Sequence, residues 1–171
     1  MKILDTERLS LRLLRADDAP FVLELLNEPS WKRFIGDRGI RTVEGARDYI
    51  VDGPLAMQER HGFSLYLTEL KEDRTPLGMC GLIKRDTLDD VDIGFAFLAR
   101  HWGRGYAYEA AAAVMDYGRH TLGLERIVAI VSPGNERSIK LLESLGLRYQ
   151  DRIRMKDGEG DTCLYVRDFA A

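Results

Sequence analysis

The residues best suited to chemistry lie between Asp92 and Ala110, where the chain reads Asp-Ile-Gly-Phe-Ala-Phe-Leu-Ala-Arg-His-Trp-Gly-Arg-Gly-Tyr-Ala-Tyr-Glu-Ala. Val91, Ile93, Phe95 and Phe97 alternate with Asp92, Gly94 and Ala96. A strand here buries one bulky face and leaves the other nearly bare, with a carboxylate at one end. The next element is a helix opened by Gly103-Arg104-Gly105. A helix leaves its first backbone N–H groups unpaired, and Ser, Thr, Asn or Asp normally supplies an acceptor. No such residue occurs between Arg100 and Tyr108, and the first acid is Glu109. Glycine lets an anion reach the backbone, and Arg100 and Arg104 add positive charge, so this helix start suits a phosphate or pyrophosphate. A tight strand-to-helix turn would also use Gly-x-Gly; the missing cap, the arginines and the bare strand face together favour a ligand. There is no Gly-Lys-Ser/Thr, and the glycines do not follow the first strand of a βαβ unit, so the P-loop and dinucleotide fingerprints fit poorly.

The elements that must position this segment follow from periodicity and punctuation. Leu9, Leu11 and Leu13 alternate with Arg8, Ser10 and Arg12, a first strand. A helix runs from Ala16 to about Asn27 and is stopped by Pro29, leaving Trp31, Phe34 and Ile35 in an apolar loop. A second helix runs from a Thr42 cap towards Gln58, broken near Gly53-Pro54. Strands are expected over 63–69, 76–84 and 91–98, a helix over 105–122 ended by Gly123, and a strand over 126–131. Asn135 to Leu145 is a helix ended by Gly146, and strands over 147–155 and 161–168 flank a turn at 156–160. The order predicts one domain over 1–171 with a single mixed sheet covered by helices on both faces, an α/β (α+β) fold.

Composition narrows the class. A chain of 171 residues with 45% hydrophobic content and a net charge of -3 can bury one core and has no general affinity for nucleic acid. No apolar run is long enough for a bilayer, and Asp5 and Glu7 near the start do not suit a signal peptide. Cys80 and Cys163 are far apart and, with His61, His101 and His120, make no metal-ligand spacing; both read as apolar strand residues in a reducing cytoplasm. Neither has a His partner in its sequence context to make it a nucleophile. His101 is expected to face solvent.

The segment Arg100-His101-Trp102-Gly103-Arg104-Gly105 resembles the cofactor signature Gln/Arg-x-x-Gly-x-Gly/Ala of the Gcn5-related N-acetyltransferases. The chain is most similar to the branch of ribosomal-protein N-terminal (RimJ/RimL-like) acetyltransferases. Thr6-Glu7-Arg8-Leu9 with Leu11-Arg12 resembles that branch's opening, Asp92-Ile93-Gly94-Phe95 its Glu-Ile-Gly-Tyr strand, and Trp102 to Ala107 with Glu109-Ala110 its cofactor loop. Asn135, Ser138, Leu141 and Gly146 resemble its Asn-x-x-Ser-x-x-Leu…Gly-Phe segment, with Leu147 in place of Phe. The matches span Thr6 to Asp168. The resemblance implies a mostly antiparallel sheet and acetyl-CoA as cofactor. Main-chain groups near Phe97 and Leu98 would hold the pantetheine, and the N–H groups of Gly103 to Ala107, Tyr106 included, the pyrophosphate, with Arg100 and Arg104 beside it. Asn135 and Ser138 would lie near the thioester. Trp31 and Phe34 would border the acceptor, and dimers are common among such proteins, which makes a homodimer an expectation here.

Acetyl transfer to an amine needs a neutral amine, a polarised carbonyl and a stabilised thiolate. An α-amine with a pKa near 8 is roughly one-tenth neutral at pH 7, and a lysine far less. The resemblance makes Asp92 the base, directly or through water, its side chain being shorter than the branch's Glu; a plain carboxylate beside Asp89 and Asp90 explains the residue equally well. Leu142 stands where many members carry a tyrosine acid, and Ser138 is the substitute. Cap and turn duties alone would also account for Asn135 and Ser138. The reading is a cytoplasmic acetyl-CoA-dependent N-acetyltransferase acting on a primary amine, a protein N-terminus or a small molecule, by direct attack in a ternary complex. The alternatives are a non-catalytic acyl-CoA sensor and an enzyme dedicated to an antibiotic, polyamine or amino acid. Gly105→Glu should abolish CoA binding, measured by calorimetry, while leaving the fold intact.

Overall fold

The computed structural model describes residues 1–154 and 161–169, and the turn expected at 156–160 lies outside the described residues. The strands are β1 (Lys2–Asp5), β2 (Leu9–Arg12), β3 (Leu65–Leu70), β4 (Pro76–Ile83), β5 (Asp92–Phe97), β6 (Arg126–Val131), β7 (Arg148–Ile153) and β8 (Thr162–Asp168). They form one sheet in the order β1-β2-β3-β4-β5-β6-β8-β7, antiparallel throughout except between β5 and β6. The helices are α1 (Ala19–Leu26), α2 (Pro29–Phe34), α3 (Val43–Ile50), α4 (Ala56–His61), α5 (Tyr106–Asp116) and α6 (Glu136–Ser144).

The helices divide between the two faces of the sheet, as the alternation in β5 requires. Ile93, Phe95 and Phe97 pack with Ala110, Ala111 and Val114 of α5 and Leu142 of α6. Ala96 packs on the other side with Val22 and Leu25 of α1, Trp31 of α2 and Ala46 and Ile50 of α3. The small-residue face of β5 is therefore not bare along its whole length. A Cβ at Gly94 would lie 3.0 Å from Ile83 Cδ1 and 3.3 Å from Leu65 Cδ2, so the protein's own side chains cover that position.

Several elements depart from the sequence-based expectation for local reasons. The chain has a strand before Leu9, since β1 folds back on β2 at the sheet edge. Pro29 does not leave a loop behind it: it occupies the first turn of α2, where its missing N–H costs nothing. Pro54 does not break the second long helix. The ladder widens to a π turn over Val51–Leu55 and resumes in α4, which ends at Gly62 with φ +82°. Thr42 caps α3 as expected, its side chain accepting from Gly45 N–H at 3.0 Å.

The feature that positions the site is the β5–β6 junction. The two strands are in register only at Asp92 and Val128, with Val128 N–H donating to Val91 C=O at 3.0 Å. Beyond that point they run on to Phe97 and Val131 without pairing. On its other side β5 is held tightly: a Cβ at Gly78 would fall 2.2 Å from Ala96 C=O and 2.7 Å from Phe97 Cα. Gly78→Ala should push β5 away from β4, lowering stability by about 1–3 kcal/mol in a thermal melt.

Candidate active site

The gap left by the two parallel strands opens into a cavity of about 370 Å³. It brings together Trp31, Phe34, Phe97, Gly103, Gly105, Tyr106, Ala107, Asn135 and Ser138. Leu98, Arg100, Arg104 and Asp92 of the expected set lie outside its lining.

The backbone of β5 supplies the cavity's polar edge. An antiparallel strand turns its N–H and C=O groups alternately to its two neighbours. Leu98 N–H donates to Leu77 C=O at 3.0 Å, so Phe95 and Phe97 turn theirs to the β6 side, where no ladder receives them. Trp102 Nε1 donates to Phe97 C=O at 2.9 Å. Leu98 C=O accepts from His101 N–H at 3.0 Å, so both main-chain groups of Leu98 are used within the protein. Among the described residues, the groups left for a ligand are both main-chain groups of Phe95 and the N–H of Phe97, whose C=O is taken by Trp102.

The helix start is open as the sequence implies. Gly105 precedes α5 at φ +81° and no side chain caps the helix; Gly103 has the same φ. Beside it stands Arg8, an arginine that the expected set did not include. Arg100 is exposed and paired with Glu24 of α1, and its ionised form is favoured by that bond. Arg104 contributes its carbonyl, which accepts from Arg8 Nη1 at 2.9 Å. Arg8 also donates through Nε to Glu109 Oε1 at 2.7 Å and through its backbone N–H to Oε2 at 2.9 Å, and its guanidinium stands 4.6 Å over the Tyr106 ring. Burial raises the Glu109 pKa, but the bonds from the Thr6 hydroxyl and from Arg8 outweigh it and hold the carboxyl below its ordinary value.

Gly105 is therefore less free to change than the sequence suggests. A side chain there meets a left-handed backbone cost of about 1–2 kcal/mol, and its Cβ would sit 3.3 Å from Arg8 Nη2. Gly105→Glu thus disturbs the local backbone as well as the anion site.

The remaining residues divide by what holds them. Asn135 caps α6, its side chain accepting from Ser138 N–H at 3.3 Å. That bond uses the Ser138 amide and leaves its hydroxyl without a partner among the described hydrogen bonds. Leu142 is buried in the core, so it packs there and offers no acid. His101 is not solvent-facing. It is half-buried in the cavity wall, and burial, then Arg100 and Arg104, push its pKa down, which keeps the imidazole neutral near pH 7. Trp102 and Arg137, both in the lining, stack with the guanidinium 4.6 Å from the ring. Cys80 and Cys163 are buried strand residues, and burial pushes the Cys80 thiol up, away from reactivity.

Asp92 sits at the closed end of the splay, 1% exposed. Its Oδ2 is 3.3 Å from Arg85 Nε, and Oδ1 is buried with no partner among the described residues. Burial raises its pKa to about 6, against the opposing pull of Arg85. It is not a surface carboxylate.

Arg8, Trp102, Arg137 and Arg85 were not singled out by sequence reasoning. Arg8 and Trp102 lie within the matched motifs, but their contacts are tertiary and no spacing announces them.

A sheet that splays between its two parallel strands, with an uncapped, glycine-opened helix start beside the gap, suits the coenzyme-A-dependent acyltransferase that the resemblance implies. The sequence model of the acetyltransferase (GNAT) domain matches residues 8–148, and the chain belongs to that family; it is an acetyltransferase. It is 34% identical over 157 residues to the uncharacterized N-acetyltransferase p20 of Bacillus licheniformis, covering 90% of this chain and 86% of that one. It is 32% identical over 152 residues to Bacillus subtilis YkkB, covering 87% of each. Among solved structures, an acetyltransferase from Agrobacterium tumefaciens superposes with a TM-score of 0.82 at 27% identity, covering 98% of this chain and 94% of that one. RimL, the ribosomal L7/L12 α-N-protein acetyltransferase solved in complex with coenzyme A, has the same fold, with a TM-score of 0.83 at 16% identity over 98% of each chain. Acetyltransferases of this fold use acetyl-CoA. Among the described residues no helix is long and apolar enough to cross a membrane.

Because Arg8 braces the loop at the α5 start, Arg8→Ala should raise KM for acetyl-CoA about threefold to tenfold, the modest loss typical of a half-exposed pair with one further bond. Steady-state kinetics should show kcat nearly unchanged.

Proposed function

We propose that this chain transfers an acetyl group from acetyl-CoA to a primary amine by direct attack with both substrates bound. The observation that carries this reading is the uncapped start of α5 at the end of a strand whose backbone groups go unpaired, both in the wall of one cavity. These residues fit the cofactor: the N–H groups of the α5 start, through Tyr106 and Ala107, suit a diphosphate. The free groups of Phe95 and Phe97 suit an amide-bearing chain. Bound there, acetyl-CoA supplies an activated carbonyl and a thiolate leaving group.

The protein's part is to move protons and exclude water. Asp92, charged above about pH 6, takes the proton released by the attacking amine, through water because it lies outside the cavity lining. A β5 N–H that no strand receives donates to the carbonyl oxygen as it gains charge. The Ser138 hydroxyl, on the cavity wall, donates a hydrogen bond to the departing sulfur, which leaves as a thiolate and takes its proton from water. Trp31 and Phe34, joined by Leu25 and Ile35, form the apolar side against which the acceptor's body rests. The buried Cys80, with its raised pKa, gives no support to a covalent acetyl-enzyme.

A base must be ionised to work, so activity falls as pH drops through about 6. Asp92→Asn should lower kcat/KM about 100-fold, at the lower end of what a general base contributes, and remove that acid limb. Thiol release across a panel of primary amines from pH 5 to 9 measures both. With rates referred to the neutral amine, so that the acceptor's own titration is divided out, an inflection near pH 6 that persists in the variant removes Asp92 from the mechanism.

A further inference from the structure

The turn between β4 and β5 places a cation on Asp92, and this inference rests on the reading of Asp92 as the base. Arg85 Nε lies 3.3 Å from Asp92 Oδ2, while Oδ1 is buried and has no partner among the described residues. Arg85 is 34% exposed in its side chain against 1% for Asp92, so the pair runs from inside the sheet to the surface. The turn carrying Arg85 is itself tied down. Lys84 Nζ donates to the carbonyls of Arg85 and Leu88, and Leu88 N–H closes back on Arg85 C=O at 3.3 Å. An isolated carboxylate this deeply buried would take up a proton rather than stay charged.

We propose that Arg85 is a positioning residue: it binds one oxygen of Asp92, keeps the carboxylate charged at neutral pH, and leaves Oδ1 as the oxygen that accepts the substrate proton. The other groups nearby fit this assignment. Lys84 acts on Asp92 in the same sense but more weakly than Arg85. Tyr49 of α3 stays a neutral phenol because burial raises its pKa, with Arg38 and Arg85 opposing. Asp90 is engaged 3.8 Å from Arg126 and offers Arg85 no competing partner. A carboxylate shorter than the Glu of the resembling strand is thus held by a neighbour's charge.

The test needs no acceptor. In the intact protein labelled with 13C-aspartate, the Asp92 carboxyl carbon is assigned by its loss in Asp92→Asn and titrated by NMR in the wild type, Arg85→Gln and Arg85→Lys. The wild-type midpoint falls near pH 6. Arg85→Gln moves it up by about one pH unit, the low end of what an adjacent charge does, and Arg85→Lys brings it back towards the wild type. A wild-type midpoint in Arg85→Gln, or no recovery with lysine, overturns the assignment. The acid limb of acetyl transfer in Asp92→Asn tests the base reading separately, so the two failures are distinguishable.

Discussion

Everything in this molecule turns on a pair of parallel strands that stop pairing after one register position. Backbone N–H and C=O groups at the edge of a sheet need partners, and β5 has strand partners on its β4 side and lacks them on its β6 side beyond Asp92. The rest of the architecture maintains that separation. Helix α5 packs under β4 and β5 through its alanines, α6 lies against the β6 side, and the two helices bring their N-termini to the gap. A flat, fully paired sheet of the same residues would have no place for a ligand.

The close fit of β4 to β5 is the counterpart of that opening. Gly78 has no room for a Cβ, because Ala96 C=O comes within 2.2 Å of where it would sit, while Gly81 meets Ser64 C=O at 2.0 Å and fits β4 equally closely to its other neighbour, β3. Strand β5 is therefore clamped on one side and free on the other, which fixes the orientation of Phe95 and Phe97 without help from a ligand. Such preorganisation is what binding and catalysis both require.

Much of the site could be read from local patterning because local rules made it. The missing cap before Tyr106, the bulky-small alternation of β5 and the Asn135 cap are decided within a few residues, and the structure has all three. The misreadings arose where tertiary context decides. Lys2–Asp5 is too short to signal a strand until β2 pairs with it. Pro29 follows the end of α1 as read, but it starts a second helix where a loop was expected, and Pro54, read as a break, is absorbed by a widened turn. Arg100 matched a motif, but Glu24 on α1 holds it, and the arginine at the helix start comes from the other end of the chain. Likewise the burial of Asp92 depends on how far β6 stays paired, and no spacing within β5 encodes that.

The tether between the first hairpin and α5 also bears on how the protein is made. Arg8 and Glu109 are separated by 101 positions in sequence, so during synthesis the opening residues wait for most of the chain before they find their partner. Contacts of such long range form late. The coenzyme loop therefore becomes rigid near the end of assembly, and a chain truncated before residue 109 lacks its brace however well the strands already made have formed.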